Sequence, residues 1–199
     1  MRVISGTARG CGLVSPKGLA TRPTADRTKE SLFNILGDIR GVKFLDLFAG
    51  SGSVGIEALS RGAELAVFVD SSKECAEYIN KNLIKTKLSN KAEVHIKSDA
   101  LKTLDRFYLE GLLIEKIRFF DIIFLDPPYE RPEEFLTAIL RKSLNILDED
   151  GFCVIEWQRD EPSFNFPDLG YVLKDERVYG NARLTFLQPI KRNLGGIHK

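Results

Sequence analysis

One stretch of the chain combines a buried strand with a turn that can accept hydrogen bonds but donates few. Residues 119–125 read FFDIIFL, a run typical of a strand covered on both faces, and Asp126, Pro127, Pro128 and Tyr129 follow it. The two prolines end the strand and have no N–H group. The turn therefore presents a carboxylate and carbonyl oxygens to an amino group, and Tyr129 offers a flat ring for stacking. The pattern predicts a site for the exocyclic amine of a nucleobase.

The same turn also has a purely structural interpretation. An Asp-Pro-Pro sequence after a strand can serve as a stiff turn, with Tyr129 as a lid on the core. A second motif upstream favours the functional interpretation.

A glycine-rich loop has the spacing of a nucleotide-binding turn. Gly50, Gly52 and Gly55 form GxGxxG between a predicted strand and a predicted helix, and Asp70 ends the next strand. Glycines there let the backbone approach a ligand at the N-terminus of the helix, and an acid at the position of Asp70 can hold ribose hydroxyls. The motif predicts a nucleotide-like cofactor, and its spacing alone also fits a dinucleotide.

The charge of the loop distinguishes between these cofactors. Asp46, four residues before Gly50, would repel a pyrophosphate and attract an ammonium or a sulfonium. S-adenosylmethionine carries both cations. Asp99, after the third strand, is placed to hold an adenine amine, and Asp126 follows the fourth strand. These acids predict a negative crevice at the carboxyl edge of the sheet, which suits a cationic cofactor and an amine substrate.

Alternating strand and helix patterns predict an α/β fold with a parallel sheet. Two further strands near the end, joined around Gly180, predict a final antiparallel hairpin. The expected strands cover 42–47, 65–69, 92–96, 120–125, 152–156, 171–178 and 184–188. The expected helices cover 22–36, 53–61, 73–85, 101–113 and 133–147. Short strands around a glycine-rich tip at residues 6–10 predict an N-terminal hairpin that presents Arg9.

Length and composition set the class of protein. A chain of 199 residues with 43% apolar and 29% charged residues corresponds to one domain, or to one domain with a small appendage. It has no run long enough for a membrane helix and no signal-peptide core, and its three distant cysteines predict neither a disulfide framework nor a zinc site. We expect a cytoplasmic protein without a metal. The first 25 residues carry four basic side chains and no acid, which suits contact with a phosphate backbone.

These residues resemble those of a known enzyme class. The pattern Asp46-x-Phe48-x-Gly50-x-Gly52, together with Asp-Pro-Pro-Tyr at 126–129, resembles the S-adenosylmethionine-dependent methyltransferases that act on amino groups. The Arg-Pro-Thr helix at 22–36, the Gly-x-x-Arg-Gly arm at 6–10 and Tyr-Gly at 179–180 resemble the bacterial small-subunit (16S) ribosomal RNA guanine-N2 methyltransferases of the RsmD type. The family often has a base where this chain has Cys11.

The resemblance implies a class I, Rossmann-like methyltransferase fold with a seven-stranded, mostly parallel sheet that ends in an antiparallel pair. It implies a basic hairpin arm at 1–20 and a methyltransferase domain at 21–199. The catalytic residues would be Asp126, Pro127, Pro128 and Tyr129. The cofactor-binding residues would be Asp46, Phe48, Gly50, Ser51, Gly52, Asp70, Ser71, Asp99 and Ala100. The substrate-binding residues would be Arg9, Arg22, Thr24 and Arg27.

The implied function is methylation of the N2 amine of a guanine in 16S ribosomal RNA, within a small-subunit assembly particle and by a monomer. An N6-adenine DNA methyltransferase would use the same chemistry on a different base. An NAD-dependent oxidoreductase would share the glycine motif, but the acids argue against it. A noncatalytic RNA-binding assembly factor would not need an intact Asp-Pro-Pro-Tyr sequence.

Overall fold

The computed structural model describes residues 1–15, 23–96, 99–113, 120–128, 132–160 and 164–191. Its helices are α1 Pro23–Leu36, α2 Ser53–Ser60, α3 Lys73–Thr86, α4 Ala100–Leu113 and α5 Glu133–Ser143. Its strands are β1 Lys43–Leu47, β2 Leu65–Asp70, β3 Ala92–Ile96, β4 Phe120–Leu125, β5 Leu147–Gln158, β6 Tyr171–Tyr179 and β7 Ala182–Pro189.

The seven strands form one sheet in the order β3-β2-β1-β4-β5-β7-β6. The first five run parallel, while β7 pairs antiparallel with both β5 and β6. The predicted fold class is therefore confirmed, including the antiparallel pair at the end. The chain moves outward from β1 to β2 and β3, then returns to place β4 on the other side of β1. Ligands of such sheets bind where this reversal opens a crevice at the carboxyl ends of the strands.

The sheet separates two layers of apolar side chains. One face, with Phe44 and Phe124, packs against α1, α2 and α3, and the other, with Leu45 and Ile123, packs against α4 and α5. Alternation along each strand assigns every residue to one of the two faces. For each residue at the carboxyl end of a strand, the topology therefore fixes both the edge and the face of the sheet on which it lies.

Two boundaries differ from the sequence-based expectation. The helix expected to reach residue 147 ends at Ser143, and β5 begins at Leu147 instead of 152. Leu147 pairs with Phe120, and the register then shifts before Ile122 pairs with Phe152. Residues 148–151 therefore form an irregularity in β5, opposite Asp121 alone, at the place where a turn was expected, and the buried Leu147 begins the strand before it.

The N-terminal segment forms a compact turn held by one antiparallel bridge, between Arg2 and Gly12, where two short strands were expected. Val3 and Leu13 on either side of the turn are buried in the core layer that contains α1, α2 and α3. The backbone of Val3 pairs with that of Cys11 and Gly10 across the turn. This segment is therefore packed onto the domain along its apolar side.

No helix in the described ranges is both long and apolar enough to cross a membrane.

Candidate active site

Acidic side chains follow one edge of the sheet across neighbouring strands. Asp70 is the last residue of β2, Asp46 is the penultimate residue of β1, and Asp126 comes directly after β4. These strands are adjacent and parallel, and alternation assigns the three acids to the face that carries Phe44 and Phe124. The topology therefore brings together three acids that lie far apart in sequence.

Each of the three motif glycines between β1 and α2 is required for a different structural reason. Gly50 has a φ of +56°, and a Cβ there would meet nothing within 4 Å, so its exposed side is open to a ligand. Gly52, with a φ of +77°, directly precedes α2. Gly55 allows the helix to approach the sheet, because a Cβ there would lie 2.4 Å from Cε1 of Phe68. The first glycine thus leaves room beside the backbone, and the third permits close packing.

Asp46 is buried, with 2% of its surface exposed, and its Oδ2 accepts a hydrogen bond from the Gly55 N–H at 2.9 Å. Burial raises the pKa of Asp46 to about 7, and the charges of Asp126 and Asp70 act in the same direction. A neighbouring cation lowers the pKa of a buried carboxyl and so favours its ionised form. The site therefore fits the ammonium of a cofactor and disfavours a phosphate.

Asp70 joins the glycine loop to the start of α3. Its Oδ2 accepts the Gly50 N–H at 2.9 Å, and its Oδ1 accepts the Ser72 N–H at 2.8 Å. Each carboxylate oxygen can accept a further hydrogen bond, so Asp70 remains able to bind ribose hydroxyls. Ser71, beside it, is exposed.

Phe48 has a φ of +66°, an uncommon conformation for a bulky residue. The N–H groups of Phe48 and Ala49 both donate to the Val69 carbonyl oxygen, which holds the chain in this bend. The half-buried Phe48 ring lies 6.2 Å from the Phe135 ring of α5. Backbone strain of this kind concentrates at ligand sites.

Asp99 and Ala100 lie at the start of α4, after β3. The exposed Asp99 accepts the Lys102 N–H at Oδ1 over 3.1 Å, which caps the helix, and Ala100 is buried. The structure thus gives Asp99 a capping role that the sequence analysis did not consider. Its second carboxylate oxygen has no hydrogen-bond partner among the described residues.

The proposed catalytic turn begins where β4 ends. Asp126 keeps part of its surface exposed, while desolvation by the surrounding protein raises its pKa to about 6. Pro127 is half-buried and Pro128 is exposed. Tyr129 lies outside the described residues. A carboxylate and carbonyl oxygens therefore stand beside the buried Asp46, on the side of β1 away from β2.

Sequence analysis did not identify Glu156, although it lies beside this turn. Leu125 pairs with Ile155 between β4 and β5, so Asp126 and Glu156 follow on adjacent strands. Burial, and then the charge of Asp126, raises the pKa of Glu156 to about 8. The sequence signal was an acid near the carboxyl end of a predicted strand, which is the feature that identified the other acids.

The residues expected to bind RNA are distributed over the N-terminal segment and α1. Arg9 is exposed at the tip of the N-terminal turn, and Arg27 is exposed on α1. Thr24 falls in the first turn of α1, but its side chain lies outside the described part. Arg22 lies outside the described residues.

A buried ion pair that the sequence analysis also missed anchors the N-terminal segment. Glu57 on α2 is fully buried and accepts the N–H groups of Ile4, at 2.7 Å, and Ser5, at 2.9 Å. Lys29 on α1 lies 3.6 Å from Glu57 and donates to the Arg2 carbonyl oxygen at 2.8 Å. The segment is thus fixed by charge-assisted hydrogen bonds as well as by its apolar side chains.

Asn82 on α3 connects the N-terminal segment to the glycine loop. This fully buried amide accepts the Val14 N–H at 2.8 Å, donates to the Val14 carbonyl oxygen at 2.8 Å and donates to the Ser51 carbonyl oxygen at 3.0 Å. Ser51 is itself buried in the loop. One side chain therefore fixes the positions of both segments relative to α3.

Comparison with known proteins gives matches along most of the chain. Residues 1–188 match the family model described as conserved hypothetical protein 95. Ribosomal RNA small subunit methyltransferase D of Escherichia coli strain K12 is 35% identical over 194 residues, covering 94% of this chain and 89% of that protein. The protein of the same name from Haemophilus influenzae is 33% identical over 179 residues, covering 88% of each.

A solved structure has the same architecture. Hypothetical protein TTHA0928 of Thermus thermophilus superposes with a TM-score of 0.76 at 30% identity, covering 96% of this chain and 99% of that one. The similarity in sequence and in fold therefore extends over the glycine loop, the acidic crevice and the N-terminal segment together.

Proposed function

Because the chain belongs to the conserved hypothetical protein 95 family, with ribosomal RNA small subunit methyltransferase D among its relatives, we propose that it methylates the exocyclic N2 amine of a guanine in 16S ribosomal RNA. The chain is a methyltransferase, and S-adenosylmethionine is its methyl donor, as the sequence analysis predicted. The identity of the base and of its methylated atom is what the proposal adds.

The observation that carries the proposal is the line of carboxyls beside an open glycine loop. Asp70, Asp46 and Asp126 lie at one edge and on one face, and Gly50 leaves space next to them. Such a crevice favours a cationic cofactor on one side and an amino group on the other. A pyrophosphate in the same place would lie beside the buried Asp46, which argues against an NAD-dependent enzyme.

The residues present fit S-adenosylmethionine in charge, and the open side of Gly50 leaves room beside them. Asp46 would lie near its ammonium and Asp70 would accept its ribose hydroxyls. Asp99 and Ala100 would border its adenine, and Phe48, Ser51, Gly52 and Ser71 would complete the walls. Bound S-adenosylmethionine supplies an electrophilic methyl group on a positively charged sulfur.

The turn at Asp126 prepares the amine for attack. The lone pair of an aromatic amine is delocalised into the ring, so the free base is a poor nucleophile. When the Asp126 carboxylate and the Pro127 carbonyl oxygen accept the two amine protons, the nitrogen is drawn towards tetrahedral geometry and its lone pair is released. Pro128 would keep the turn rigid, and Tyr129 would stack on a base turned out of its helix or loop. Much of the rate would come from this placement, since effective molarities for well-oriented groups reach about 10⁵–10⁸ M.

The N-terminal arm of residues 1–20 and the start of α1 would hold the RNA backbone through Arg9, Arg22, Thr24 and Arg27. The substrate would be a small-subunit assembly particle in the cytoplasm, and the enzyme would act as a monomer. Deletion of the arm should lower RNA affinity and its dependence on salt. Because Glu57 and Asn82 fix the arm to the domain, substitution of Arg9 and Arg27 by Gln gives a cleaner variant than deletion.

Mass spectrometry of nucleosides tests the proposal. The enzyme is incubated with isotope-labelled S-adenosylmethionine and, separately, with 16S ribosomal RNA, with small-subunit assembly particles and with plasmid DNA. Labelled N2-methylguanosine in either ribosomal substrate is the expected product. Labelled N6-methyladenine in the DNA, or a different methylated nucleoside in the RNA, would overturn it.

A further inference from the structure

The line of carboxyls extends one strand beyond the catalytic turn. In the sheet order, β5 lies beside β4 on the side away from β1, and the cofactor residues belong to β1, β2 and β3. Leu125 pairs with Ile155, and alternation assigns Glu156 to the same face as Val154 and Phe124. Glu156 therefore lies across Asp126 from the glycine loop, on the side left for the substrate.

Glu156 is half-buried, and no described residue donates a hydrogen bond to it or places a positive charge beside it. On the far side of β5 its strand neighbour is the buried, apolar Leu184. Water can satisfy a half-buried carboxyl in the free enzyme. A base held at the neighbouring Asp126 turn would displace that water, so the base must supply a hydrogen-bond donor in its place.

The atom next to the amine differs among the nucleobases that carry one. In guanine the amine-bearing carbon lies between two ring nitrogens, of which N1 carries a hydrogen and N3 a lone pair. In adenine and cytosine the nitrogens beside that carbon carry lone pairs only. A glutamate oxygen accepts a hydrogen bond in either protonation state, and an N–H donor beside it favours the ionised form. The ionised carboxylate repels a lone pair, whereas the protonated form could donate to one, so the discrimination is strongest above the pKa of Glu156, about 8. Neighbouring strands lie about 4.8 Å apart, so Glu156 can reach the ring atom next to an amine held at Asp126.

We propose that Glu156 accepts the N1–H of the target guanine and thereby sets the preference of the site for guanine. This assignment rests on the proposed function, because it concerns the same base and the same amine. Asp126 binds the amine that is methylated, and Glu156 recognises the adjacent ring atom through a hydrogen bond. Enzymes that act on extruded bases commonly recognise them through this Watson–Crick edge.

The test compares two bases that share the reactive amine. 2-Aminopurine keeps the N2 amine but has a lone pair at N1, so it cannot donate to Glu156. A ligated RNA carries guanine or 2-aminopurine at the position that mass spectrometry of RNase digests identifies as methylated. The kcat/KM for each RNA is measured at a pH above 8, where Glu156, with its pKa of about 8, is mainly ionised. The wild-type enzyme should prefer guanine by at least about tenfold, the lower range for a charge-assisted hydrogen bond.

Glu156→Gln should reduce this preference several-fold, because a glutamine amide can either accept from N1–H or donate to a lone pair. Glu77→Gln, on the exposed face of α3, is the matched control and should keep the wild-type ratio. Thermal shifts with S-adenosylmethionine confirm that each variant binds the cofactor. If Glu156→Gln fails to fold, Glu156→Asp replaces it, with an intermediate ratio expected.

An unchanged guanine preference in a folded variant would overturn the inference. Equal loss of rate on both bases, with a shifted pH profile, would also overturn it, because Glu156 would then receive a proton instead of reading the base. If the wild-type enzyme methylates no guanine in ribosomal RNA, the proposed function itself fails. That failure appears in the nucleoside mass spectrometry, before any variant is made.

Discussion

The open side of Gly50 gives the sharpest test of where the cofactor lies. An alanine there must adopt a left-handed backbone, with a φ of +56°, but its methyl group would touch no protein atom. The conformational cost is about 1–2 kcal/mol. For a chain of this size that lowers the melting temperature of the free protein by roughly 2–8 °C. The methyl group would also occupy the space assigned to the cofactor, so Gly50→Ala should lose binding of S-adenosylmethionine.

Gly37, just after α1, supplies a matched control. It has a φ of +73°, and a Cβ there would also meet nothing within 4 Å, so Gly37→Ala carries the same backbone strain away from the crevice. At a cofactor concentration 100 times Kd, binding stabilises a protein by about 2.7 kcal/mol. Differential scanning fluorimetry should show this upward shift in the wild type and in Gly37→Ala, and not in Gly50→Ala. A full cofactor-induced shift in Gly50→Ala would refute the placement.

Three further predictions concern the loop and its supports. Because the raised pKa of Asp46, about 7, leaves it partly protonated at neutral pH, calorimetric affinity for S-adenosylmethionine should rise as pH increases from 5 to 8, and Asp46→Asn should remove this dependence. Asn82→Ala loses three buried hydrogen bonds, at about 1 kcal/mol each, so urea unfolding should show about 3 kcal/mol less stability and the KM for the cofactor should increase. Gly55→Ala places a Cβ 2.4 Å from the Phe68 ring, and overpacking of this kind should lower the free energy of unfolding by about 1–3 kcal/mol.

Local patterns in the sequence were sufficient to predict most of the fold. The alternation of strands and helices, the glycine spacing and the Gly180 hairpin each depend on residues close together in the chain. Parallel pairing then follows from the alternation, so the sequence alone assigns the acids at the strand ends to one edge of the sheet. The start of β5 was missed because the buried Leu147 pairs with Phe120 before the irregularity at 148–151 that produced the turn signal.

The buried residues that hold the N-terminal segment and the glycine loop in place, Glu57 and Asn82, could not be predicted in the same way. Glu57 contacts Ile4 across 53 positions, and Asn82 contacts Val14 across 68 positions. A buried glutamate and a buried asparagine in amphipathic helices have no local signature, since their partners are backbone groups elsewhere. Glu156 did have a signal, but its importance depends on which strand lies beside β4, and that is a property of the sheet order.

The central claim is that the Asp126 turn holds an amino group against a methyl donor bound by the neighbouring acids. Single-turnover methyl transfer to ribosomal RNA by Asp126→Ala, with cofactor Kd measured in parallel, tests it most directly. The account predicts a Kd for S-adenosylmethionine within about threefold of wild type and a transfer rate lower by a factor of about 10²–10⁴, the usual contribution of a positioned catalytic group. Transfer within a few-fold of wild type would contradict it.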